Sequence, residues 1–391
     1  MGYLIDSEAA NRLNQVRAIL NEKNLDLALI YYDEFNIGNG WYLTGWCPQF
    51  ESGAVLVPRY GEPMLLGGPE SEPFAKQDSA IKNTRNFPVF MVPDEEYPNA
   101  EIIDFPKLFA ELQASGTKIT RIGLVGAGRM PLDCYRGIAD GFAGVELVDI
   151  TEDFLRLRYF KSAWEAEQIG KGFALADIAC EAMTNAVKVG ASEIEIAAAG
   201  EYACRSRGAN SFGFSAIVGS GKRANAVVPT ASAKILQDGE LVMLGLSPKY
   251  RGYAGVFGDT VAANGKFTQR QKDCINHLRE TFRLTKEMLQ AGKSGREIDK
   301  PGREYFTKHG LLQYLVCPFA HTIGLQEAEA PFFGPNSDDV LVPGMTVCVD
   351  VSFFGHPEFN GARIETGYLI TENGPVPFSK KLDEYHTSEL K

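Results

Sequence analysis

Three side chains in the last third of the chain have the chemistry of an acid–base centre: His321, Asp350 and Glu365. His321 stands in PFAHTIGLQ, between an apolar run and a glycine, where the backbone can approach a ligand closely. Asp350 and Glu365 stand in the strand-like sequences TVCVDVSFF and GARIETGYLI, and a carboxylate in a buried strand is costly unless it is paired or used. We therefore expect one imidazole and two carboxylates to work together in proton transfer.

Each of these residues also has a purely structural interpretation. His321 could be a hydrogen-bonded core histidine, and Asp350 could be an acid at a strand edge or turn. Glu365 could form a salt bridge with its neighbour Arg363. The residue types and their spacing leave both interpretations open.

The elements that must position these residues follow from hydrophobic periodicity. Strand-like runs and one helical stretch alternate in the first part of the chain, at 27–32, 54–57, 63–66, 105–114 and 122–125. We expect residues 1–155 to form an α/β domain. Residues 156–391 open with a long helical sequence at 162–190 and continue with helical sequences at 193–207, 269–291 and 295–309, separated by strands rich in glycine and proline. Helices and strands do not alternate regularly there, which favours an α+β architecture. The charged tail 379–391 is expected to be mobile.

Composition excludes several classes of protein. The 391 residues are 45% hydrophobic and 23% charged, as in ordinary folded proteins. The formal net charge of -11 disfavours binding to nucleic acid or to anionic membrane surfaces. Seven cysteines without a CxxC pair do not indicate a disulfide framework, and no run approaches the roughly 18 apolar residues of a membrane span. We expect a cytoplasmic protein.

Residues 161–375 resemble the catalytic domain of the pita-bread family, which includes methionine aminopeptidase, prolidase, aminopeptidase P and creatinase. The resemblance rests on KSAWEAEQI, DGELVMLGLSPKYRGYAGVFGDT, HTIG, PGMTVCVDV and GARIE, which follow one another in the family's order and spacing. It implies a pita-bread catalytic domain preceded by a smaller α/β domain like the N-terminal domain of creatinase and prolidase. It also implies a homodimer with shared clefts.

The chain departs from the peptidases of this family at their metal ligands. Those peptidases hold two metal ions with two aspartates, one histidine and two glutamates. The aspartate positions correspond here to Gly245 and Val256, so that only His321, Asp350 (in place of a glutamate) and Glu365 remain. The resemblance therefore implies a relative with no metal and no other cofactor.

Creatinase, which also lacks the ligand aspartates, is the nearest functional parallel within the family. The parallel predicts a metal-independent hydrolase that cleaves a carbon–nitrogen bond in a small polar compound such as a guanidine, amidine, lactam or amide. Glu365 would act as nucleophile or general base, His321 would donate a proton to the leaving nitrogen, and Asp350 would orient His321 or bind a substrate cation. Two alternatives stay open: a lyase or cyclising enzyme, and an inactive pseudo-peptidase that binds a peptide or protein.

Further residues are predicted to bind the substrate. In YLTGWCPQFESG, which resembles a creatinase segment that reaches the partner's site, Trp46 and Phe50 are candidate pocket walls. Asp259 follows Gly258, a position where creatinase has a substrate-binding glutamate. The remaining candidates are side chains that carry or can carry positive charge, namely Lys222, Arg223, His356 and Arg363. For the loop residues among them, a solvated or turn-forming role is the alternative.

Overall fold

The computed structural model describes residues 2–116 and 118–391. The chain divides into two compact units, one ending at Arg158 and one running from Tyr159 to Lys391. Each unit has its own buried hydrophobic core. No helix in the described ranges combines the length and the apolar character that a membrane span needs.

The first unit is a six-stranded sheet flanked by helices. Its elements are α1 (Asp6–Glu22), β1 (Leu27–Tyr32), α2 (Ile37–Thr44), β2 (Gly53–Pro58), β3 (Met64–Gly67), α3 (Glu72–Asp78), β4 (Thr84–Asn86), α4 (Phe105–Ala114), β5 (Arg121–Val125), α5 (Leu132–Gly141), β6 (Glu146–Asp149) and α6 (Thr151–Arg156). The strand order is β4-β3-β2-β1-β5-β6. β1 pairs parallel to β5 and antiparallel to β2, so the sheet is mixed.

The second unit carries the three candidate catalytic residues. Its elements are α7 (Ala163–Ala186), α8 (Glu193–Arg205), β7 (Ser211–Phe212), β8 (Ile217–Ser220), β9 (Leu241–Leu246), β10 (Pro248–Tyr250), β11 (Tyr253–Ala254), β12 (Phe257–Ala262), α9 (Gln269–Glu287), α10 (Gly295–Lys308), β13 (Ala320–Thr322), β14 (Glu329–Phe332), β15 (Thr346–His356), β16 (Asn360–Thr371), β17 (Gly374–Pro377) and α11 (Lys380–Thr387). The main sheet has the order β14-β13-β15-β16-β12-β9-β8, with β17 also paired to β16. The predicted α+β class is confirmed.

Capping boxes, formed by residues three apart in the sequence, define where the long helices of this unit begin. Ser162 accepts a hydrogen bond from the Glu165 N–H, and the Glu165 side chain accepts one from the Ser162 N–H. The same capping box opens the next three helices, at Ser192 and Glu195, Thr268 and Gln271, and Ser294 and Glu297. Because the motif needs only residues three apart, the predicted helix starts agree with the structure.

Alternation along β15 and β16 separates a helix-covered face from a polar face. Val347, Val349 and Val351 are completely buried in a core that includes residues of α9 and α10. Successive side chains of a strand point to opposite faces, so Asp350 lies on the other face. The candidate catalytic residues therefore stand on a rigid sheet whose back is fully packed.

The C-terminal tail is ordered, and the expectation that it is mobile is wrong. Ser379 caps α11 by accepting a hydrogen bond from the Leu382 N–H. Leu382 and His386 are buried, and the His386 ring packs edge-on against the ring of Phe282 in α9, with the ring planes at 68°. Two buried side chains thus hold this helix against the rest of the unit, although its sequence is mostly charged.

Candidate active site

The register of three strands brings the predicted residues together. Asp350 of β15 lies directly opposite Glu365 of β16. His321 of β13 lies opposite Cys348, two residues before Asp350. Since directly paired residues and residues two apart share a face, all of these side chains project from one face of the sheet. His321, Asp350 and Glu365 each bring one possible ligand atom within 4.8 Å of the others.

A glycine makes room for Glu365 on the neighbouring strand. Gly258 of β12 is directly opposite Glu365. A Cβ atom at Gly258 would lie 2.9 Å from the Cβ of Glu365, closer than side chains approach one another. Any larger residue at position 258 would displace the Glu365 carboxylate.

The His321 ring is oriented by the backbone. Its Nδ1 lies 3.1 Å from the carbonyl oxygen of Thr322, which can only accept a hydrogen bond, so Nδ1 carries the proton. Nε2 then faces two carboxylates, 3.5 Å from Oε1 of Glu365 and 3.8 Å from Oε1 of Glu327. Burial disfavours the charged imidazole, but the nearby carboxylates of Glu365, Glu327 and Asp350 outweigh it and raise the pKa of His321 to about 9.

Glu365 is the most deeply buried member of the group. Its side chain has no exposed surface, and neither carboxylate oxygen has a hydrogen-bond partner in the described part of the chain. Burial alone would raise its pKa, but the positive charges of Arg363 and His321 lower the pKa below the ordinary glutamate value. Glu365 is therefore an ionised carboxylate with free acceptor positions.

Arg363 binds Asp350 rather than Glu365. Its Nε donates to Asp350 Oδ1 at 2.8 Å, and its Nη2 donates to Asp350 Oδ2, which makes a bidentate pair. The same Nε lies 3.5 Å from Glu365 Oε2. Asp350 and Glu365 together hold the pKa of the buried Arg363 well above its usual range, against the effect of burial. Each oxygen of Asp350 accepts a hydrogen bond from Arg363, and the predicted role of Asp350, to orient His321 or bind a substrate cation, stays a prediction.

His321, Asp350, Arg363 and Glu365 form one buried cluster. Glu327 also belongs to this cluster, and the sequence analysis did not identify it. It lies in the connection between β13 and β14, and its side chain is 13% exposed. Burial and the charge of Glu365 raise the pKa of Glu327 to about 8, although His321 and Arg363 act in the opposite direction. Its neighbour Glu329 serves a structural purpose instead, in a buried ion pair with Lys161 at 3.0 Å. The only signal in the sequence was the short spacing from His321.

Asp259 does not reach this cluster. It follows Gly258, and because successive residues of a strand face opposite ways, its side chain points to the helix-covered face. There it is buried, with its Oδ1 3.9 Å from Nε2 of His386. No contact with the cluster supports its predicted role in substrate binding.

Three other predicted binding residues of this unit lie at the end of β15 or in the short turn 221–224. Nδ1 of His356 accepts hydrogen bonds from two N–H groups of the turn between β15 and β16, each at 3.2 Å. Arg223 donates to the buried carboxylate of Glu193 at 2.8 Å, which holds the 221–224 turn in place. Lys222 is exposed in the same turn. Of the positively charged candidates, only Arg363 belongs to the cluster.

Trp46 and Phe50 belong to the first unit. They follow α2 and line a cavity of about 410 Å³ together with Phe74 and Asp78. Phe50 is 84% exposed and has a φ of 65°, which is unusual for a residue other than glycine. Their predicted role as pocket walls stays a prediction.

Two family models match the two units of the chain. Residues 12–160 match the creatinase/prolidase N-terminal domain, and residues 167–372 match the model of metallopeptidase family M24. The second match covers more than half of the chain. The chain belongs to metallopeptidase family M24. The pita-bread resemblance and the predicted order of domain types are confirmed.

Named relatives match over different lengths. An Xaa-Pro dipeptidase of Pyrococcus horikoshii is 26% identical over 371 residues, which are 94% of this chain and 97% of the relative. An uncharacterized peptidase of Bacillus subtilis is 31% identical over 245 residues, which are 63% of this chain and 69% of the relative. Among solved structures, the prolidase from Pyrococcus horikoshii OT3 has a TM-score of 0.80 at 23% identity, covering 95% of this chain and 98% of its own. That structural similarity shows the shared fold.

The prediction of a metal-independent, creatinase-like hydrolase for guanidines, amidines, lactams or amides is wrong. The family is one of metallopeptidases, and a relative that matches 94% of this chain is named an Xaa-Pro dipeptidase. The coarser prediction of a hydrolase is confirmed. The names of these relatives do not indicate the lyase or the binding module that the sequence left open.

Membership of a metallopeptidase family implies metal ions, but the donors in this M24 chain do not fit a two-ion centre. Gly245 lies opposite Gly258 in the sheet and Val256 is buried, and neither offers a ligand atom. Of the three remaining positions, Asp350 has both oxygens bound by Arg363. The residues present therefore do not form the ligand set of a two-ion centre.

Proposed function

We propose that this M24 protein hydrolyses the peptide bond of a short peptide and that Glu365 and His321 are the reacting groups. The supporting observation is a completely buried carboxylate whose two oxygens have no hydrogen-bond partner in the described chain, with an imidazole nitrogen 3.5 Å away. Such burial costs several kcal/mol in general, and groups held at that cost are concentrated at functional sites. The relatives named Xaa-Pro dipeptidase indicate a bond preceding proline as the first to test.

The proposed reaction uses one group for each atom of the scissile bond, Glu365 for the attack on the carbon and His321 for the departing nitrogen. A carboxylate oxygen of Glu365 accepts a proton from water, and the water oxygen forms a bond with the peptide carbonyl carbon. His321, which is protonated at neutral pH because its pKa is raised to about 9, donates its proton to the nitrogen as the carbon–nitrogen bond breaks. Each proton transfer of this kind contributes about 10²- to 10⁴-fold in rate, and substrate positioning supplies much of the remainder.

A panel of dipeptides tests this proposal. The purified protein would be incubated with Xaa-Pro dipeptides and matched Xaa-Ala dipeptides, with and without added Mn²⁺, and the released amino acids would be quantified by chromatography. We expect the wild type to cleave at least one Xaa-Pro dipeptide and Glu365→Gln to lose that activity. Glu372→Gln is the matched control, because Glu372 is exposed in the turn between β16 and β17.

Two results would overturn the proposal. One is the absence of cleavage by the wild type under every condition. The other is cleavage by Glu365→Gln at the rate of the control variant.

We also propose that the protein is a cytoplasmic homodimer. Seven cysteines that are all free agree with a reducing compartment. The exposed aromatic ring of Phe50 agrees with a surface that another subunit covers.

A further inference from the structure

The guanidinium of Arg363 lies among the three groups that could hold a metal ion. His321, Asp350 and Glu365 each bring one possible ligand atom within 4.8 Å of the others. The Nε of Arg363 is 2.8 Å from Oδ1 of Asp350 and 3.5 Å from Oε2 of Glu365. Its Nη2 donates to the second oxygen of Asp350. A cation of the chain itself therefore contacts two of the three possible ligands.

Gly258 gives the Arg363 side chain its route across the sheet. A Cβ atom at position 258 would lie 3.3 Å from both Cγ and Cδ of Arg363, so the methylene stem packs on the backbone of β12. At the far end, Nη1 donates to the carbonyl oxygen of Val227 at 3.4 Å. The side chain is only 7% exposed. The stem and the guanidinium are thus both held inside the protein.

A guanidinium and a metal ion make incompatible demands on Asp350. The guanidinium does not lose its proton in proteins, so its positive charge is permanent. Its bidentate pair occupies the side of the carboxylate from which a metal ion would contact both oxygens. A metal ion bound to one oxygen alone would lie close to the guanidinium charge, and burial strengthens the repulsion between them.

The other two ligands are arranged to accept an ion once that charge is absent. Neither oxygen of Glu365 has a hydrogen-bond partner in the described part of the chain. The Nδ1–H of His321 faces the Thr322 carbonyl at 3.1 Å, an orientation typical of histidines whose Nε2 binds a metal ion. One imidazole and two carboxylates form a ligand set that suits a single Zn²⁺ or Mn²⁺ ion.

We infer that Arg363 is a built-in competitor of metal ions. Its guanidinium and a divalent ion exclude one another at Asp350 and Glu365, so the residue at position 363 sets the metal affinity of the cluster. This competition does not depend on the proposed hydrolysis, because ion binding is measured without a substrate.

Isothermal titration calorimetry with Zn²⁺, on protein first dialysed against EDTA, tests this competition. Arg363→Gln removes the charge while its amide can still donate a hydrogen bond to Asp350, and Arg363→Met removes both the charge and the donor. We expect each variant to bind Zn²⁺ at least about 10-fold more tightly than the wild type. Arg363→Lys keeps a positive charge and should stay within about 3-fold of the wild type. Arg296→Met is the matched control, because Arg296 forms an exposed ion pair with Asp338.

Urea unfolding of the same proteins gives a second readout. A ligand that binds only the folded chain stabilises it, so Zn²⁺ should raise the unfolding midpoint of Arg363→Gln and leave that of the wild type nearly unchanged. Adding Glu365→Gln to Arg363→Gln should abolish both gains, which would locate the ion at this cluster. Circular dichroism would confirm that each variant is folded, and Arg363→Gln alone decides the result if Arg363→Met does not fold.

Four results would overturn the inference. They are equal Zn²⁺ affinity in the wild type and in folded Arg363→Gln, a gain in Arg363→Lys as large as that in Arg363→Gln, the same gain in Arg296→Met, and a gain that persists after Glu365→Gln is added. Tighter binding that is confined to the uncharged variants and lost with Glu365→Gln would support the competition, whether or not the protein cleaves a dipeptide.

Discussion

His321 and Glu365 stand 3.5 Å apart and act on the same chemical step in the proposed reaction. We expect His321→Ala and Glu365→Gln each to lower kcat/KM by about 10²-fold or more, on the order of 3 kcal/mol of transition-state stabilisation. The double variant should be little worse than either single variant, because groups that act as a unit fail together. Steady-state kinetics on a cleaved dipeptide would measure these effects. Near wild-type turnover in either folded single variant would contradict the pairing.

The ion pair between Arg363 and Asp350 predicts an effect on stability. Both side chains are buried, so Arg363→Met would leave Asp350 charged and without a partner. Removing one partner of a buried pair costs about 3 to 5 kcal/mol, and we expect a loss of that size in the free energy of unfolding in urea. The double variant with Asp350→Leu should recover much of the loss, because neither charge is then buried alone. A loss below about 1 kcal/mol in Arg363→Met would show that water reaches the pair.

The C-terminal helix α11 covers a second group of buried polar side chains, which lies on the face of the sheet opposite to His321 and Glu365. Asp259 of β12 is surrounded by Cys180 of α7, Arg279 of α9, and Tyr385 and His386 of α11. Its Oδ1 also accepts a hydrogen bond from the next N–H in β12, at 2.8 Å. Burial raises the pKa of Asp259 to about 7, while the hydrogen bond and Arg279 act in the opposite direction. Burial lowers the pKa of His386 to about 3, so the imidazole is neutral in the folded protein.

These pKa values give a pH dependence with a definite sign. The folded protein keeps the Asp259 proton between about pH 4 and pH 7, where the unfolded chain has lost it, so the free energy of unfolding falls as pH rises through that window. Asp259→Asn does not titrate. The stability of this variant relative to wild type should therefore increase by roughly 2 to 3 kcal/mol between pH 5 and pH 8. His386 acts in the opposite direction, gaining stability as pH rises from about 3 to 6.5, but it does so in both proteins and cancels in the difference.

Urea unfolding of the two proteins at pH 5 and pH 8 would measure this change. A difference in stability that is the same at both pH values would mean that Asp259 is ionised throughout. That result would also imply a closer pairing with Arg279 or His386 than the structure shows.

For the whole molecule, the number of ligand positions limits metal binding. Only His321, Asp350 and Glu365 of the described residues bring three possible ligand atoms within 4.8 Å, and Arg363 holds one of the three groups. Calorimetric titration with Mn²⁺ or Zn²⁺ should therefore give at most one equivalent per chain. Two equivalents would show that groups outside this set complete a second site.

The proposed dimer is also a property of the whole molecule. Light scattering of the purified protein at micromolar concentration should give twice the chain mass of 42.9 kDa. Phe50→Ser should weaken association if this exposed ring lies in the interface, whereas substitution of the exposed Tyr202 serves as a control on the other unit. A monomer in the wild type would remove the basis for shared clefts.

Much of the fold was predictable because it depends on near neighbours in the chain. The capping boxes at Ser162, Ser192, Thr268 and Ser294 mark helix starts through contacts three residues apart. Short apolar runs identified the strands of the first unit, such as β1, whose six residues are all buried. The resemblance carried by HTIG, PGMTVCVDV and GARIE gave the fold of the second unit, which the family match confirms. The substrate class did not follow from the missing ligands, and the named relatives corrected it.

The residue chemistry of the chain by itself determined that His321, Asp350 and Glu365 were candidates for one site. Only the tertiary structure decided what surrounds them. Arg363 binds Asp350 instead of its nearer neighbour in sequence because the register of β15 and β16 places the two side chains on one face. Glu327 joins the cluster because the connection between β13 and β14 brings it back to within 3.8 Å of His321.

The surroundings of Asp259 and the order of the C-terminal helix were also decided only by the tertiary structure. A shift of one residue along a strand sends a side chain to the opposite face, so Asp259 joins His386 rather than Glu365. The tail 379–391 has a charged sequence, but two buried side chains order it: Leu382 lies in a core that includes residues of α7 and α8, and His386 packs against Phe282 of α9. Local sequence encodes helices and strands through neighbouring residues, whereas the partners of a buried charge depend on the register and packing of segments far apart in the chain.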